Sequence, residues 1–259
     1  MSGFVKMAEP SAKRAKATSS KTEIVVVESG AIPTSAPAGK LLTCYWNIRG
    51  LGQPIRMALE FVGAAFIDVR CEAGDPKGGS YKAHWVAQKP SLGLPFGGNL
   101  PFLIDGDTGT KLVQSNAILR FIGRKYNLLG DGSPGQTAQL DMLLDQLGEF
   151  DDSFTGMAYG SYNTGGKEAF IADRAPKILS GLAEALGDKL YLVCGTPTVV
   201  DFKAFELLLK FELAFGAGVP GTELSEYTER MRALPTMVAY FGSERYITHP
   251  INNHHAQFK

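Results

Sequence analysis

Residues 41–45, Leu-Leu-Thr-Cys-Tyr, form a short apolar run that stops at the Gly-bearing turn Asn47-Ile48-Arg49-Gly50. Such a run, bounded by a turn, predicts a strand. After Pro54 the period changes. Ile55, Ala58, Leu59 and Val62 fall at i, i+3, i+4 and i+7, one face of a helix. Pro54 suits its first turn, where a missing N–H costs nothing, and Gly63 marks its end. Residues 66–70 read as a second strand, so the order strand–helix–strand predicts a parallel crossover unit. A long loop rich in Gly, Pro and polar residues follows, interrupted by Trp85. Phe102-Leu103-Ile104 and Lys111-Leu112-Val113 then flank a turn at residues 105–109 and predict a hairpin. The next helix is expected over residues 115–126, burying Ala117, Ile118, Phe121 and Ile122.

The run Gly130-Asp131-Gly132-Ser133-Pro134-Gly135 reads as a linker. Beyond it only helical stripes appear, first Leu140, Leu143, Leu144 and Leu147, then Ile178, Leu179, Leu182 and Leu186. Thr198-Val199-Val200-Asp201 has the spacing of a capping box opening a helix that buries Val199, Phe202 and Phe205. The expected organisation is an α/β domain over residues 41–128 followed by an all-helical domain over residues 136–259, with no internal repeat.

Residues 1–40 are rich in Ala, Ser, Thr and Lys and read as a disordered leader. They lack the apolar core of a secretory signal. The run Lys13-Arg14-Ala15-Lys16 could act as a nuclear address, and the acid-poor start as an organelle address. The leader holds six basic residues and three acidic ones, which leaves 20 of the 26 bases and 23 of the 26 acids in the rest. The globular part is therefore mildly acidic, and the whole chain is neutral. Neither favours nucleic acid or an anionic membrane as a partner, and no apolar run is long enough to span a bilayer. Cys44, Cys71 and Cys194 are odd in number and show no metal-ligand spacing, which fits a reducing compartment, no disulfide framework and no metal. His254 and His255 read as part of a polar tail. These features together suggest a cytoplasmic protein.

Tyr45 is the residue with chemical promise, a phenol at the C-terminal end of a strand facing a turn. Cys44 beside it points to the opposite sheet face by strand alternation and reads as a buried structural thiol.

Three strings carry a resemblance. Tyr45-Trp46-Asn47-Ile48-Arg49-Gly50-Leu51, Asn99-Leu100-Pro101 and Gln114-Ser115-Asn116-Ala117-Ile118-Leu119-Arg120 resemble the cytosolic glutathione transferases, most of all the mu class. The resemblance runs from about residue 41 to residue 251. It implies a thioredoxin-like domain that binds glutathione as co-substrate, a helical domain that shapes a pocket for small hydrophobic electrophiles, and a homodimer with sites at the subunit junction. The implied role is detoxification by conjugation. The rival readings are a non-enzymatic relative that binds ligands or builds structure, and a glutathione-dependent isomerase or peroxidase.

By the same resemblance Tyr45 is the catalytic hydroxyl, donating to the glutathione sulfur. Trp46 is its neighbour at the site. Lys82, Trp85 and Lys89 grip the glycine end. Asn99, Leu100 and a cis Pro101 pair with the cysteinyl part. Gln114 and Ser115, at a helix start where Ser115 can cap, meet the γ-glutamyl carboxylate. Glu149 reaches the partner subunit's glutathione amine, with Asp151 and Asp152 as rivals. Ile48, Leu51, Tyr159 and residues 246–251 line the electrophile pocket. Three places depart from the family. Lys82 stands where mu-class chains usually carry Arg, which keeps the charge but loses the fork. The loop at residues 92–99 is one residue longer. Glu149 stands in place of an Asp.

Overall fold

The computed structural model describes residues 21–74 and 80–259. The first domain is a mixed five-stranded sheet. Its strands are β1 (Thr22–Val27), β2 (Leu41–Trp46), β3 (Phe66–Cys71), β4 (Phe102–Asp105) and β5 (Lys111–Val113), in the order β1-β3-β2-β4-β5. β2 runs parallel to β3 with Leu41 opposite Phe66, and antiparallel to β4 with Cys44 opposite Phe102. Helix α1 (Gln53–Phe61) makes the crossover, with Pro54 in its first turn. The short α2 (Ala83–Gln88) lies in the long connection, and α3 (Ser115–Tyr126) follows the hairpin. The expected βαβ–ββα order is therefore observed.

The leader is corrected. Residues 22–27 are β1, pairing parallel with β3 from Thr22 opposite Phe66 to Val27 opposite Cys71. Val27 and Ile32 are buried. The stretch after β1 is pinned to the turn between β4 and β5, where the Gly39 N–H donates to Asp107 Oδ1 at 2.6 Å. Composition averaged over 40 residues hid a run, Ile24-Val25-Val26-Val27, whose β-branched side chains suit a pleated edge. The two address-like stretches before residue 21 lie outside the described residues.

The second domain is helical. It holds α4 (Pro134–Gly160), a short α5 (Gly166–Ala169), α6 (Ala175–Leu186), α7 (Val199–Phe215), α8 (Gly221–Arg232) and α9 (Pro235–Phe241). Ser133 caps α4 through its side chain, so Pro134 and Gly135, read as linker, are the first residues of the helix. The capping box of α7 is present: the Thr198 N–H donates to Asp201 Oδ2 at 2.8 Å. α7 is buried nearly all round, as a central helix must be. It packs on α1, α3 and α4, so one apolar core runs through both domains. On the far side of the sheet, Leu42, Cys44, Val69, Phe102 and Trp85 form a second apolar layer.

Candidate functional site

β2 delivers Tyr45 to the domain junction, where the chain turns sharply before α1. The turn is built around the phenol. A Cβ on Gly50 would lie 2.7 Å from Tyr45 Cε1 and 2.8 Å from its hydroxyl oxygen. A Cβ on Gly52 would lie 2.8 Å from Cδ1. Gly50 also holds φ +39°, a region that disfavours side chains. The ring is thus clamped by two bare backbone positions. Gly52→Ala is expected to fold but to displace the phenol and cost activity about as much as deleting its hydroxyl. Steady-state kinetics beside a thermal melt check this, and an active, equally stable variant would refute the clamp.

Burial raises the Tyr45 pKa well above that of a free phenol, against a lowering contribution from the Leu51 main-chain N–H that donates to its oxygen. The group is therefore a neutral O–H across the physiological range, and its oxygen already accepts one bond. It can act as a hydrogen-bond donor to an anion, and the Leu51 N–H compensates for charge drawn onto the oxygen.

The turn is also held from behind, by residues the sequence reading left without a role. Arg56, buried on α1, donates to both Asp68 oxygens at 3.0 Å, to the Ile48 carbonyl at 2.9 Å and to the Trp46 carbonyl at 3.3 Å. Arg49 makes a bidentate, fully buried pair with Glu206 of α7, at 3.0 and 2.7 Å. Arg49 therefore ties the two domains together rather than facing a ligand. A signal was available: Lys203, Glu206 and Lys210 interrupt an apolar helix on one face, and charges so placed need buried partners. Lys203 donates to Asn116 at 2.8 Å and Lys210 to Asp151 at 2.6 Å.

That last pair removes Asp151 as a rival to Glu149, because its carboxylate is buried and committed. Glu149 is exposed and accepts a hydrogen bond from Gln146 Nε2 of its own helix at 3.2 Å. Asp152 is also exposed.

The other predicted residues fall into three groups. Leu100–Pro101 is a cis peptide, and the Leu100 N–H is held by Asn99 Oδ1 at 2.9 Å. Gln114 is the residue before α3, with the unusual φ of +75°, a strained conformation of the kind stored at ligand sites. Ser115 is the first helical residue, not the cap, and α3 has no side-chain cap, which corrects the expected capping role. Its first N–H groups are therefore free to meet an anion. Trp85 lies on α2 rather than in a loop. It is buried, and its ring stacks on Phe102 at 6.2 Å, so packing accounts for much of it. Lys82 and Lys89 flank it, with Lys82 Nζ 5.2 Å from the centre of the Tyr81 ring.

Cys44 Sγ lies 3.5 Å from Cys71 Sγ in the apolar layer behind the sheet, and burial raises its pKa. It stays a thiol, inert as a nucleophile.

The C-terminal segment reaches the site in a different way from the one expected. Residues 246–251 pin the turn: the Arg49 N–H donates to the Pro250 carbonyl and the Gly50 N–H to the Ile251 carbonyl, both at 3.0 Å. Beyond them Asn253 donates its N–H to the Tyr159 oxygen at 2.9 Å. Burial raises the Tyr159 pKa, so it too is a neutral donor. The Tyr159 phenol adds to the upward push on the Tyr45 pKa. Ile48 is buried in the apolar layer around β2, and Leu51 packs against it partly buried. His254 and His255, read from sequence as polar tail, pack on Tyr81 and Tyr159. A groove of about 750 Å³ on α8, near Thr222, Glu226 and Arg230, holds none of the residues predicted for the site. Among the described residues no group of three or more His, Cys, Asp or Glu is placed to hold a metal ion.

The family described as glutathione S-transferase, N-terminal domain, matches residues 43–124, and the glutathione S-transferase C-terminal domain matches residues 149–244. Glutathione S-transferase 2 of Gallus gallus is 35% identical over 209 residues, covering 80% of this chain and 92% of that protein. Glutathione S-transferase Mu 4 of Mus musculus is 32% identical over 210 residues, covering 80% and 93%. Among solved structures, the Pi-class glutathione S-transferase of Onchocerca volvulus superposes with a TM-score of 0.72 at 27% identity, over 84% of this chain and 99% of that one. The glutathione S-transferase of Ascaris lumbricoides gives 0.66 at 28% identity, over 81% and 98%.

Proposed function

The chain belongs to the glutathione S-transferase family, and we propose that it joins glutathione to small hydrophobic electrophiles in the cleft in front of Tyr45. It is a transferase with glutathione as co-substrate, and its relatives by sequence include mu-class enzymes. The assignment of roles within the cleft is our reading, and the observation that carries it is the clamped, neutral Tyr45 phenol with the Leu51 N–H on its oxygen.

A free thiol has a pKa near 8.5, so little of it is thiolate at neutral pH. Tyr45 donates to the sulfur and favours the charged form. Lowering the thiol pKa by about two units takes about 2.7 kcal/mol of differential stabilisation. One charge-assisted hydrogen bond supplies about 1.5–3 kcal/mol of that. The uncapped start of α3, with Gln114 and Ser115, takes the γ-glutamyl carboxylate. Leu100 offers its N–H and carbonyl to the cysteinyl part, with Asn99 Oδ1 giving up the N–H it now holds. Lys82, Trp85 and Lys89 serve the glycine end, and Trp46 borders the peptide. Ile48, Leu51 and Tyr159 face the electrophile, with Tyr159 as a donor to oxygen that gains charge. Isothermal calorimetry with glutathione tests the site as a whole, and absence of binding would return the chain to a non-enzymatic reading.

We read the working form as a homodimer in the cytoplasm, acting in detoxification. No helix among the described residues is long and apolar enough to cross a membrane. Phe96 supports the dimer. It lies in a turn just before Asn99-Leu100-Pro101, 98% exposed, on a backbone with φ +52°. A side chain held at positive φ carries a conformational cost of the kind kept at functional positions, and we read this ring as seated in the partner subunit. Met142, exposed on α4 at 62%, is a second apolar contact candidate, and Glu149 on the same helix would reach the partner's glutathione. Phe96→Ser is expected to shift the protein toward monomer by at least tenfold in dissociation constant. Sedimentation equilibrium checks this, and an unchanged dimer would remove Phe96 from the interface.

A further inference from the structure

Beside Trp46 and Tyr159 the C-terminal segment meets the first domain through rings. Trp46, next to Tyr45, has its ring 6.1 Å from that of Tyr81. Tyr81 lies 4.4 Å from His255 at 39°, and His255 packs edge-on against Tyr159 at 5.0 Å. His254 stands edge-on to Tyr81 at 5.8 Å. The rings thus run without a break from the residue beside the thiol-activating phenol to the second phenol. This is not a core: Tyr81, His254 and Tyr159 are half-buried and His255 is exposed. Behind it, Asn253 Oδ1 and His254 Nε2 are buried and lack a hydrogen-bond partner, which is rare in a finished interior. Half-exposed aromatic faces beside unspent polar atoms describe a ligand surface.

We infer that the Tyr81–His255 ring pair is a specificity element of the electrophile site, favouring planar, electron-poor aromatic electrophiles over aliphatic ones. Rings attract each other in offset stacked or edge-on arrangements, and an electron-poor ring is the better partner for the electron-rich face of tyrosine. Burial, His254 and Lys82 all hold the His255 imidazole below its usual pKa, which keeps it a neutral ring at physiological pH. In the reaction with a nitroaryl chloride, the thiolate sulfur forms a bond to the ring carbon. The carbon–chlorine bond breaks, chloride leaves with its electron pair, and the thiol proton passes to solvent. The ring pair positions the arene and takes no part in the bond changes. The inference rests on the reading of Tyr45 and Tyr159 as the two sides of the reacting cleft.

The test compares kcat/KM for 1-chloro-2,4-dinitrobenzene with kcat/KM for the aliphatic enal nonenal. His255→Ala is expected to lower the aryl-to-enal ratio about three- to tenfold, through KM for the arene, with KM for glutathione little changed. Tyr81→Ala should lower the same ratio, and His255→Phe, which keeps a flat ring, should restore it. An unchanged ratio in His255→Ala overturns the inference. So does a fallen ratio that His255→Phe fails to restore, since the loss would then come from a disturbed segment. Tyr45→Phe separates this from the parent reading: it should lower turnover of both substrates and leave the ratio alone. If it lowers neither, the thiol-activation reading fails on its own terms.

Discussion

Tyr45→Phe lowers kcat/KM for conjugation by about a hundredfold at neutral pH, in the range seen when one donor to a developing anion is removed. The effect has a sign that a structural lesion would not reproduce. In the native protein the pH–rate profile should rise through the pKa of the bound thiol, expected about two units below 8.5. In the variant the same inflection should move back toward 8.5, so activity lost at pH 6.5 is largely recovered at high pH. The phenol itself does not blur this profile. Burial holds its pKa above that of free tyrosine, so it stays protonated throughout. Stability should fall by about 1–3 kcal/mol, because the Leu51 N–H loses its acceptor, while the ring still fills the space over Gly50 and Gly52. A profile that does not shift would remove Tyr45 from the chemistry.

Arg49→Met has the second large effect, on folding. Arg49 and Glu206 are each about 2% exposed or less and bond to one another through their charged groups, with the guanidinium 5.8 Å from the centre of the Tyr246 ring. Removing one partner strands a buried carboxylate, which costs about 3–5 kcal/mol. The double variant Arg49→Met/Glu206→Leu should regain most of this, because a buried ion pair and a well-packed apolar pair are close in stability. Urea unfolding of the singles and the double gives the coupling energy directly. A single variant costing less than about 1 kcal/mol would show the pair to be dispensable. Activity should fall with the single variants even where they fold, since Arg49 anchors the turn that carries the phenol.

Much of this was legible in the chain. The turn-bounded apolar run at residues 41–45, the stripe after Pro54 and the stripes of the second domain follow from the order of apolar and polar residues, and each element formed. Thr198 and Asp201 announced a helix start from four letters. Tyr45, Asn99, Pro101 and Gln114 could be picked out because they sit in contiguous strings. What stayed hidden is what depends on distant chain. β1 was lost because its partner, β3, lies about 40 residues on, and because a biased leader masks a six-residue strand. Arg49 looked like part of a binding string because its partner, Glu206, lies in another domain. His254 and His255 looked idle because nothing near them in sequence hints at Tyr81. Ser115 was read as a cap where a positive φ at Gln114 sets the helix start instead.

The bonds from the Arg49 and Gly50 N–H groups to the Pro250 and Ile251 carbonyls bear on how the protein is made. The turn beneath the phenol leaves the ribosome early, and the carbonyls that finish it are translated last among its contacts. While the helical domain is still being synthesised, those two N–H groups have only water to bond. A chain that has not yet reached Pro250 and Ile251 lacks both acceptors, so its catalytic turn is unfinished. Competence to bind and react would appear only when synthesis has passed Ile251, which makes the segment after α9 the step that completes the enzyme.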